Sequence, residues 1–441
     1  MSGPAEPTLA DPAAPDEGPV SSALLPSTAK AGPDGGLTVG GVDLVELADE
    51  WGTPLFVYDE AHLRTRCREA ATAWGDGVAY ATKAFLCTAM AQLAHQEGMW
   101  LDVSTGGELH VALSAGVPPG RLVLHGNNKS ADELFRALEA GVGRIVVDSF
   151  DEIERLAILT SEAGDAGPEV LIRVTPGVEA HTHDFVRTGQ DDSKFGFGLA
   201  SGAAGEAVTR LRALPGVRLV GVHAHIGSQI FRVESFADEV DALVGFFAPL
   251  QLGELCVGGG LGVAYVAGES APSISQWAQK VHDACRKAGL PAGVRVTAEP
   301  GRSIVATAGL TLYRVGTIKE LPGLRTYLAV DGGMSDNPRP VLYDSGYEAF
   351  LPRAPRAARP RAVRVVGKHC ESGDVVVAEA RVPADTAVGD VLATPVTGAY
   401  GYSMASNYNK VPRPAVVFVA DGAARVVVRR ETLDDLVRLD S

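Results

Sequence analysis

The segment His369-Cys370-Glu371-Ser372-Gly373-Asp374 places a thiol beside a carboxylate, after a glycine-punctuated strand, in a chain with five cysteines. Such a neighbourhood serves a cysteine nucleophile, a metal ligand set or an acid–base pair, and local sequence does not separate the three. Lys83 is a second candidate: it is one of nine lysines and stands in the otherwise apolar or weakly polar stretch from Val78 to Leu86. Desolvation lowers a lysine's pKa and frees the neutral amine that a Schiff base needs; a lysine snorkelling to solvent from a strand end is the plainer reading. Gly258-Gly259-Gly260-Leu261-Gly262 lets backbone N–H groups approach a ligand closely, as a phosphate cradle requires, although turns need glycine too. Glu299-Pro300-Gly301-Arg302 offers a carboxylate to a protonated heterocycle nitrogen, as a pyridoxal cofactor requires, or a surface ion pair at a turn. In His223-Ala224-His225, alternate positions on a strand point to opposite faces, so only one histidine readily faces a site. An imidazole stacked on a cofactor ring, with Ser228 near its phosphate, accounts for this segment better than zinc. His181-Thr182-His183 reads as loop structure, and no metal site is expected.

These residues need a scaffold, and the chain is large enough to supply one. Its 441 residues are 46% hydrophobic and 21% charged, a globular composition with two domains as the default. Formal net charge is −15, from 54 acidic and 39 basic residues without a Lys/Arg block, which argues against nucleic acid or an anionic membrane and for a small-molecule substrate. The odd cysteine count, without a Cys-x-x-Cys pair, argues against a disulfide framework or structural zinc site and fits a reducing cytoplasm. No apolar run reaches the roughly 18 residues of a membrane span, and no basic region followed by an apolar stretch marks the N-terminus for export.

Short apolar runs recur near Val78–Thr82, Met99–Val103, Arg121–Leu124, Arg144–Val147, Glu169–Val174, Val217–Ala224, Glu254–Val257 and Val294–Ala298. Near-continuous Val/Ile/Leu/Ala runs are what strands covered on both faces require. Gly107–Ala115, Ser130–Ala140 and Ser149–Ala163 have helical spacing between them. Eight strand–helix units over about 220 residues match a (β/α)8 barrel, with a doubly wound sheet as the alternative. The runs end on Lys83, Asp102, His125, Asp148, Arg173, His225, Gly258–Gly260 and Glu299, and the ends of the strands are the reactive face of such a barrel. A lysine, a glycine-rich loop and a glutamate there point together to pyridoxal phosphate.

The predicted organisation is a disordered tail over residues 1–36, rich in Pro, Ala and Gly; an N-terminal segment over 37–59; the barrel over 60–302; and a C-terminal all-β domain over 303–441. In the last, six strand-like runs from Leu310 to Val419 are separated by Gly, Pro and Asp turns.

Eight motifs occur in one order: Tyr80 to Phe85, His125 to Ser130, His223 to Gln229, Gly258 to Gly262, Glu299 to Arg302, Asp331 to Asp336, His369 to Asp374, and Gly398 to Tyr400. In this the chain resembles the diaminopimelate decarboxylases, from about Gly40 to the C-terminus. The resemblance implies a fold-type III pyridoxal-phosphate enzyme whose β domain also recruits the segment before Tyr58. It implies that Lys83 holds the cofactor as a Schiff base, that His225 stacks on the ring, and that Gly258, Gly259, Gly260, Ser228, Gly301, Arg302 and Tyr400 surround the phosphate. Glu299 would keep the pyridine nitrogen protonated, so that electrons released with CO2 flow into the ring as a quinonoid. Diaminopimelate carries a distal amino-acid group, so Arg302, Arg339, Tyr343 and Tyr400 would face its carboxylate and Glu371 its ammonium. The family also implies a homodimer in which Cys370 and Glu371 enter the other subunit's site, Cys370 as proton donor. Ser104 and Gly401 depart from the cysteine many relatives carry, at positions without an assigned role. They point to a divergent copy, with a related decarboxylase or racemase acting on a modified amino acid as the alternative activity.

Overall fold

The structure, a computed structural model, describes residues 18–32, 35–161, 167–177 and 192–441. His181-Thr182-His183 and residues 1–17 of the expected tail lie outside the described residues.

Eight parallel strands form the first unit: Ala79–Ala81, Trp100–Val103, Leu122–Leu124, Arg144–Val147, Glu169–Thr175, Arg218–Ala224, Glu254–Cys256 and Arg295–Thr297, each paired with the next. Ala79 N donates to Ala298 O at 3.0 Å and Ala81 N to Pro300 O at 3.1 Å, so the first strand is bonded to the end of the eighth. That closure removes both sheet edges and excludes the open, doubly wound alternative. The fold is a (β/α)8 barrel with a separate, mostly β unit.

Helices between the strands start where the side chains can cap them. Ser130 and Glu133 form a reciprocal capping box for Ala131–Ala140, and Gly141 ends that helix in the left-handed region at φ 76°. Ser273 and Gln276 do the same for Ile274–Lys287. Inside the barrel, Ala79, Trp100, Val123, Val146, Leu171 and Cys256 pack into one buried cluster. Their strand positions precede the polar residues at the strand ends, so an apolar plug underlies the polar mouth.

The second unit is a sheet in which Leu55–Asp59 lies between Gly309–Leu321, antiparallel, and Ala415–Ala420, parallel. A strand from before the barrel is thus the centre of the sheet that follows it, and Tyr58 OH donates to Gly398 O at 2.7 Å. Gly309–Leu321 runs beyond the expected Val315 because it pairs with Arg325–Val330 as well as with Leu55–Asp59. The strand Ala423–Val428 and the short helix Arg339–Tyr343 were not expected.

The reading of residues 1–36 as disordered does not hold for 18–32. Val20 and Leu24 are buried in the core, Arg359 Nε donates to Gly18 O at 2.6 Å, and Thr28 Oγ1 donates to Asp59 Oδ2 at 2.8 Å. Two buried apolar side chains and these bonds to fixed partners offset the entropy of ordering the strap. Among the described residues, no helix is long and apolar enough to cross a membrane.

Candidate active site

Lys83 lies in the single 3-10 turn Thr82–Ala84 that follows the first barrel strand, and Thr82 Oγ1 donates to Asp102 O at 2.7 Å, tying that turn to the second strand. Lys83 Nζ stands 3.4 Å from Asp102 Oδ2; the carboxylate is 1% exposed, whereas the lysine side chain keeps 45% of its surface in the open mouth. Enclosure alone would lower the amine's pKa, as expected from sequence, but the Asp102 carboxylate, with Tyr400 and Glu299 beyond it, raises it above the ordinary lysine value. The expectation of a freed, neutral amine is corrected: in the chain alone Lys83 is a protonated ammonium with a counter-ion. Desolvation is the largest single influence, and the opposing charges overcome it together.

Glu299, after the eighth strand, is buried and accepts two hydrogen bonds: His125 Nε2 lies 2.8 Å from Oε1 and His223 Nε2 lies 3.0 Å from Oε2. Burial pushes its pKa up, but the two imidazoles overcome this and hold the carboxyl well below its usual range, hence ionised. The expectation that only one histidine of the His223/His225 pair faces the site is also corrected. The sixth strand ends at Ala224, so His225 lies past the regular alternation and both rings reach the mouth. His225 Nδ1 accepts from Gly259 N at 3.1 Å. Burial, reinforced by Lys83 and Arg173, pushes its pKa well down and keeps the ring neutral. Among the described residues His125, His223 and Glu299 offer ligand atoms within 4.8 Å of one another, a spacing a metal ion can bridge; here their polar groups satisfy each other.

The glycine cluster after the seventh strand has a packing cause. A Cβ at Gly259 would lie 2.3 Å from Glu299 O, and Gly260 combines φ 111° with a Cβ position 2.2 Å from Gly227 O. Only glycine lets the sixth, seventh and eighth strand ends come this close.

Beside them a cavity of about 200 Å3 is lined by Ser228, Gln229, Arg302, Arg339, Tyr343, Ser345 and Tyr400. Arg302, 8% exposed, donates to Tyr265 OH at 2.6 Å and Ser228 Oγ at 3.0 Å, and its guanidinium lies 4.7 Å from the Tyr400 ring centroid. Arg339, 4% exposed, donates to Tyr347 OH at 2.7 Å and covers the Tyr265 ring at 4.2 Å. Among the described residues neither has a carboxylate partner, and both Nε–H groups are unbonded. Two buried cations with only neutral partners make an anion site, because leaving them uncompensated is costly.

Cys370 and Glu371 are exposed and do not line this cavity. Their loop is nevertheless built. Asp374 accepts from His369 N at 2.8 Å and Met334 N at 2.7 Å, His369 Nε2 lies 2.8 Å from Ser335 Oγ, and Tyr408 OH donates to Glu371. One chain therefore gathers Lys83, His225, Ser228, the glycines, Glu299, Arg302, Arg339, Tyr343 and Tyr400 at the mouth and leaves the thiol and its neighbour on the surface. Asp102, His125 and His223 belong to the site as well, and their place at or near strand ends was the signal. Tyr265 and Tyr347 carried none, being loop residues whose roles come from the arginines they meet.

Residues 60–306 match the family described as pyridoxal-dependent decarboxylase, pyridoxal binding domain. Diaminopimelate decarboxylase of Mycobacterium tuberculosis is 50% identical over 426 residues, 92% of this chain and 95% of that protein. The Bacillus subtilis enzyme of the same name is 46% identical, over 95% of this chain and 98% of its own. Among solved structures, diaminopimelate decarboxylase from M. jannaschii matches with a TM-score of 0.87 at 32% identity, covering 94% of this chain and 98% of that one. The Helicobacter pylori enzyme complexed with L-lysine matches at 0.81 and 30%, covering 90% and 99%.

Proposed function

This chain belongs to the diaminopimelate decarboxylases, within the pyridoxal-dependent decarboxylase family, and from that premise we propose that its barrel mouth converts meso-2,6-diaminopimelate to L-lysine and CO2. The observation that carries the substrate reading is the pair of buried guanidiniums, Arg302 and Arg339, whose partners are phenols and a serine hydroxyl. The cofactor's phosphate would compensate Arg302, but a substrate whose distal end carries only an ammonium would leave Arg339 uncompensated, and one with a distal carboxylate does not.

The residues also fit the family's cofactor: a lone lysine amine, an ionised buried carboxylate and an anion-seeking guanidinium surround one cleft. Pyridoxal 5′-phosphate, when bound, supplies an aldehyde for amines and an electron-withdrawing ring that accepts the electron pair left by departing CO2. Lys83 Nζ would hold it covalently once free of the proton that Asp102 stabilises. Glu299 would meet the ring nitrogen, and the His225 imidazole would pack against the ring. Ser228, Tyr400, Arg302, Gly301 and the backbone of Gly258, Gly259 and Gly260 would hold the phosphate. Arg339 and Tyr343, with Arg302 and Tyr400 alongside, orient the distal carboxylate, which sets the scissile carboxylate away from these cations.

The remaining groups come from a second copy. With Cys370 and Glu371 exposed and outside the cavity, a homodimer with shared sites supplies them. Glu371 of the partner subunit meets the distal ammonium. The Sγ–H of Cys370 of the partner subunit would give its proton to the carbon from which CO2 has left, so that a C–C and an S–H bond break, a C–H bond forms, and the thiolate regains its proton from solvent. A free, exposed thiol escapes oxidation to a disulfide in a reducing compartment, which supports a cytoplasmic setting.

Purified protein with pyridoxal phosphate, incubated separately with diaminopimelate, ornithine, arginine and lysine, should release CO2 from diaminopimelate alone. Release from another substrate, and none from diaminopimelate, would sink the substrate reading. Borohydride reduction should leave the cofactor on the peptide containing Lys83.

A further inference from the structure

Three strand ends meet at Glu299. His125 follows the third barrel strand, His223 lies within the sixth and Glu299 follows the eighth. The two imidazole rings stand edge to face with centroids 4.9 Å apart, and each addresses a different carboxylate oxygen, at 2.8 Å and 3.0 Å. All three residues are buried. A carboxylate oxygen only accepts, so both Nε2 atoms carry hydrogen; among the described residues His223 Nδ1 has no partner, where a second N–H would be a buried, unpaired donor.

The arrangement does two things that one donor could not. Donors from two strands fix the plane of the carboxylate as well as its position. Two donors also stabilise the anion on both oxygens at once; burial, the leading influence on His223, pushes the pKa of that ring down and favours its neutral form. A carboxylate has about four lone-pair sites, so two taken by histidine leave others for a ligand.

We propose that His125 and His223 are positioning residues that hold Glu299 charged and aimed at the ring nitrogen of bound pyridoxal phosphate. The proposal rests on Glu299 meeting that nitrogen, as read above. Neither histidine lines the substrate cavity, so their effect belongs on the cofactor and on turnover rather than on substrate affinity.

The full-length protein carrying His223→Leu, His223→Gln, His125→Leu or Glu299→Gln is compared with the unaltered chain. Cofactor Kd is measured by titration, the visible absorption band of the bound cofactor is recorded, and kcat and KM are determined separately. His223→Leu should weaken cofactor binding roughly ten- to a hundredfold, the usual consequence of losing a hydrogen bond to a charge. It should shift the band in the same direction as Glu299→Gln and lower kcat while leaving the KM for diaminopimelate unchanged. His223→Gln, whose amide N–H can reach the same oxygen, should recover much of each effect. If His223→Leu does not fold, His125→Leu removes the other donor and carries the same comparison. Histidine variants that melt earlier yet keep the Kd and band of the unaltered chain, while Glu299→Gln changes both, would overturn the positioning role alone. A Glu299→Gln variant with unchanged Kd and band would remove the reading of Glu299 and this inference with it.

Discussion

Lys83 Nζ and Asp102 Oδ2 face each other at 3.4 Å across the ends of the first two barrel strands, an exposed ammonium on a buried carboxylate. Asp102→Asn keeps the shape and removes the charge. Enclosure then acts on the amine with less opposition, and the pH midpoint for cofactor capture by the cofactor-free chain should fall by about one unit or more. Capture rates across pH, followed by absorbance, measure it; an unmoved midpoint would show that Asp102 does not set the amine's proton affinity.

Among the described residues Arg339 meets the Tyr347 hydroxyl and the Tyr265 ring and no carboxylate. Arg339→Gln should raise the KM for diaminopimelate roughly ten- to a hundredfold, as for the loss of a charge-assisted bond. Cofactor affinity should not change. Steady-state kinetics and a cofactor titration separate the two.

Cys370 and Glu371 lie outside the cavity that their own chain forms. Lys83→Ala and Cys370→Ala proteins, each inactive, should regain activity when mixed under conditions that allow subunit exchange. Random pairing of equal amounts makes one intact site per hybrid dimer and returns at most about a quarter of normal activity. No recovery despite confirmed exchange would count against shared sites.

The N-terminal strap is expected to loosen in acid. His62 Nδ1 accepts from Ser27 N at 3.2 Å, which requires a neutral ring, and burial, helped by Arg66 and opposed by Asp59, lowers its pKa to about 4. Between that value and the ordinary 6.5 the unfolded chain binds the proton more readily. The stabilisation is therefore complete above pH 6.5 and declines as pH falls toward 4, by up to about 3 kcal/mol. Proteolysis within residues 18–32 should rise across that window, and His62→Asn should flatten the dependence.

Glu239 is fully buried in the helix Val233–Phe247, and among the described residues neither carboxylate oxygen has a partner. Burial raises its pKa well above normal, so carrying it at neutral pH costs stability. Glu239→Met fills the same space without a polar group. It should stabilise the chain by about 1–3 kcal/mol, read as a melting temperature higher by a few degrees at pH 7 and by less at pH 4.

The barrel was legible because its signals are local. Each apolar run from Val78 to Ala298 coincides with a strand, and caps such as Ser130 and Glu133 lie within four residues of the groups they bond. The strap was misread for the opposite reason: Val20 and Leu24 become apolar anchors only against a core built from residues far along the chain.

Residue types and order therefore determined the strand count, the barrel, the family and the inventory of reactive groups. Relations across the closed barrel were decided only by tertiary structure. Asp102 makes Lys83 more basic where burial alone would make it less so, and two histidines that alternation would have separated converge on the mouth. Cys370, the most conspicuous thiol in the sequence, is left outside. Periodicity and propensity act over a few residues, whereas the Coulomb and hydrogen-bond energies that set a proton's position depend on distances fixed by closure between residues 19 to 174 apart.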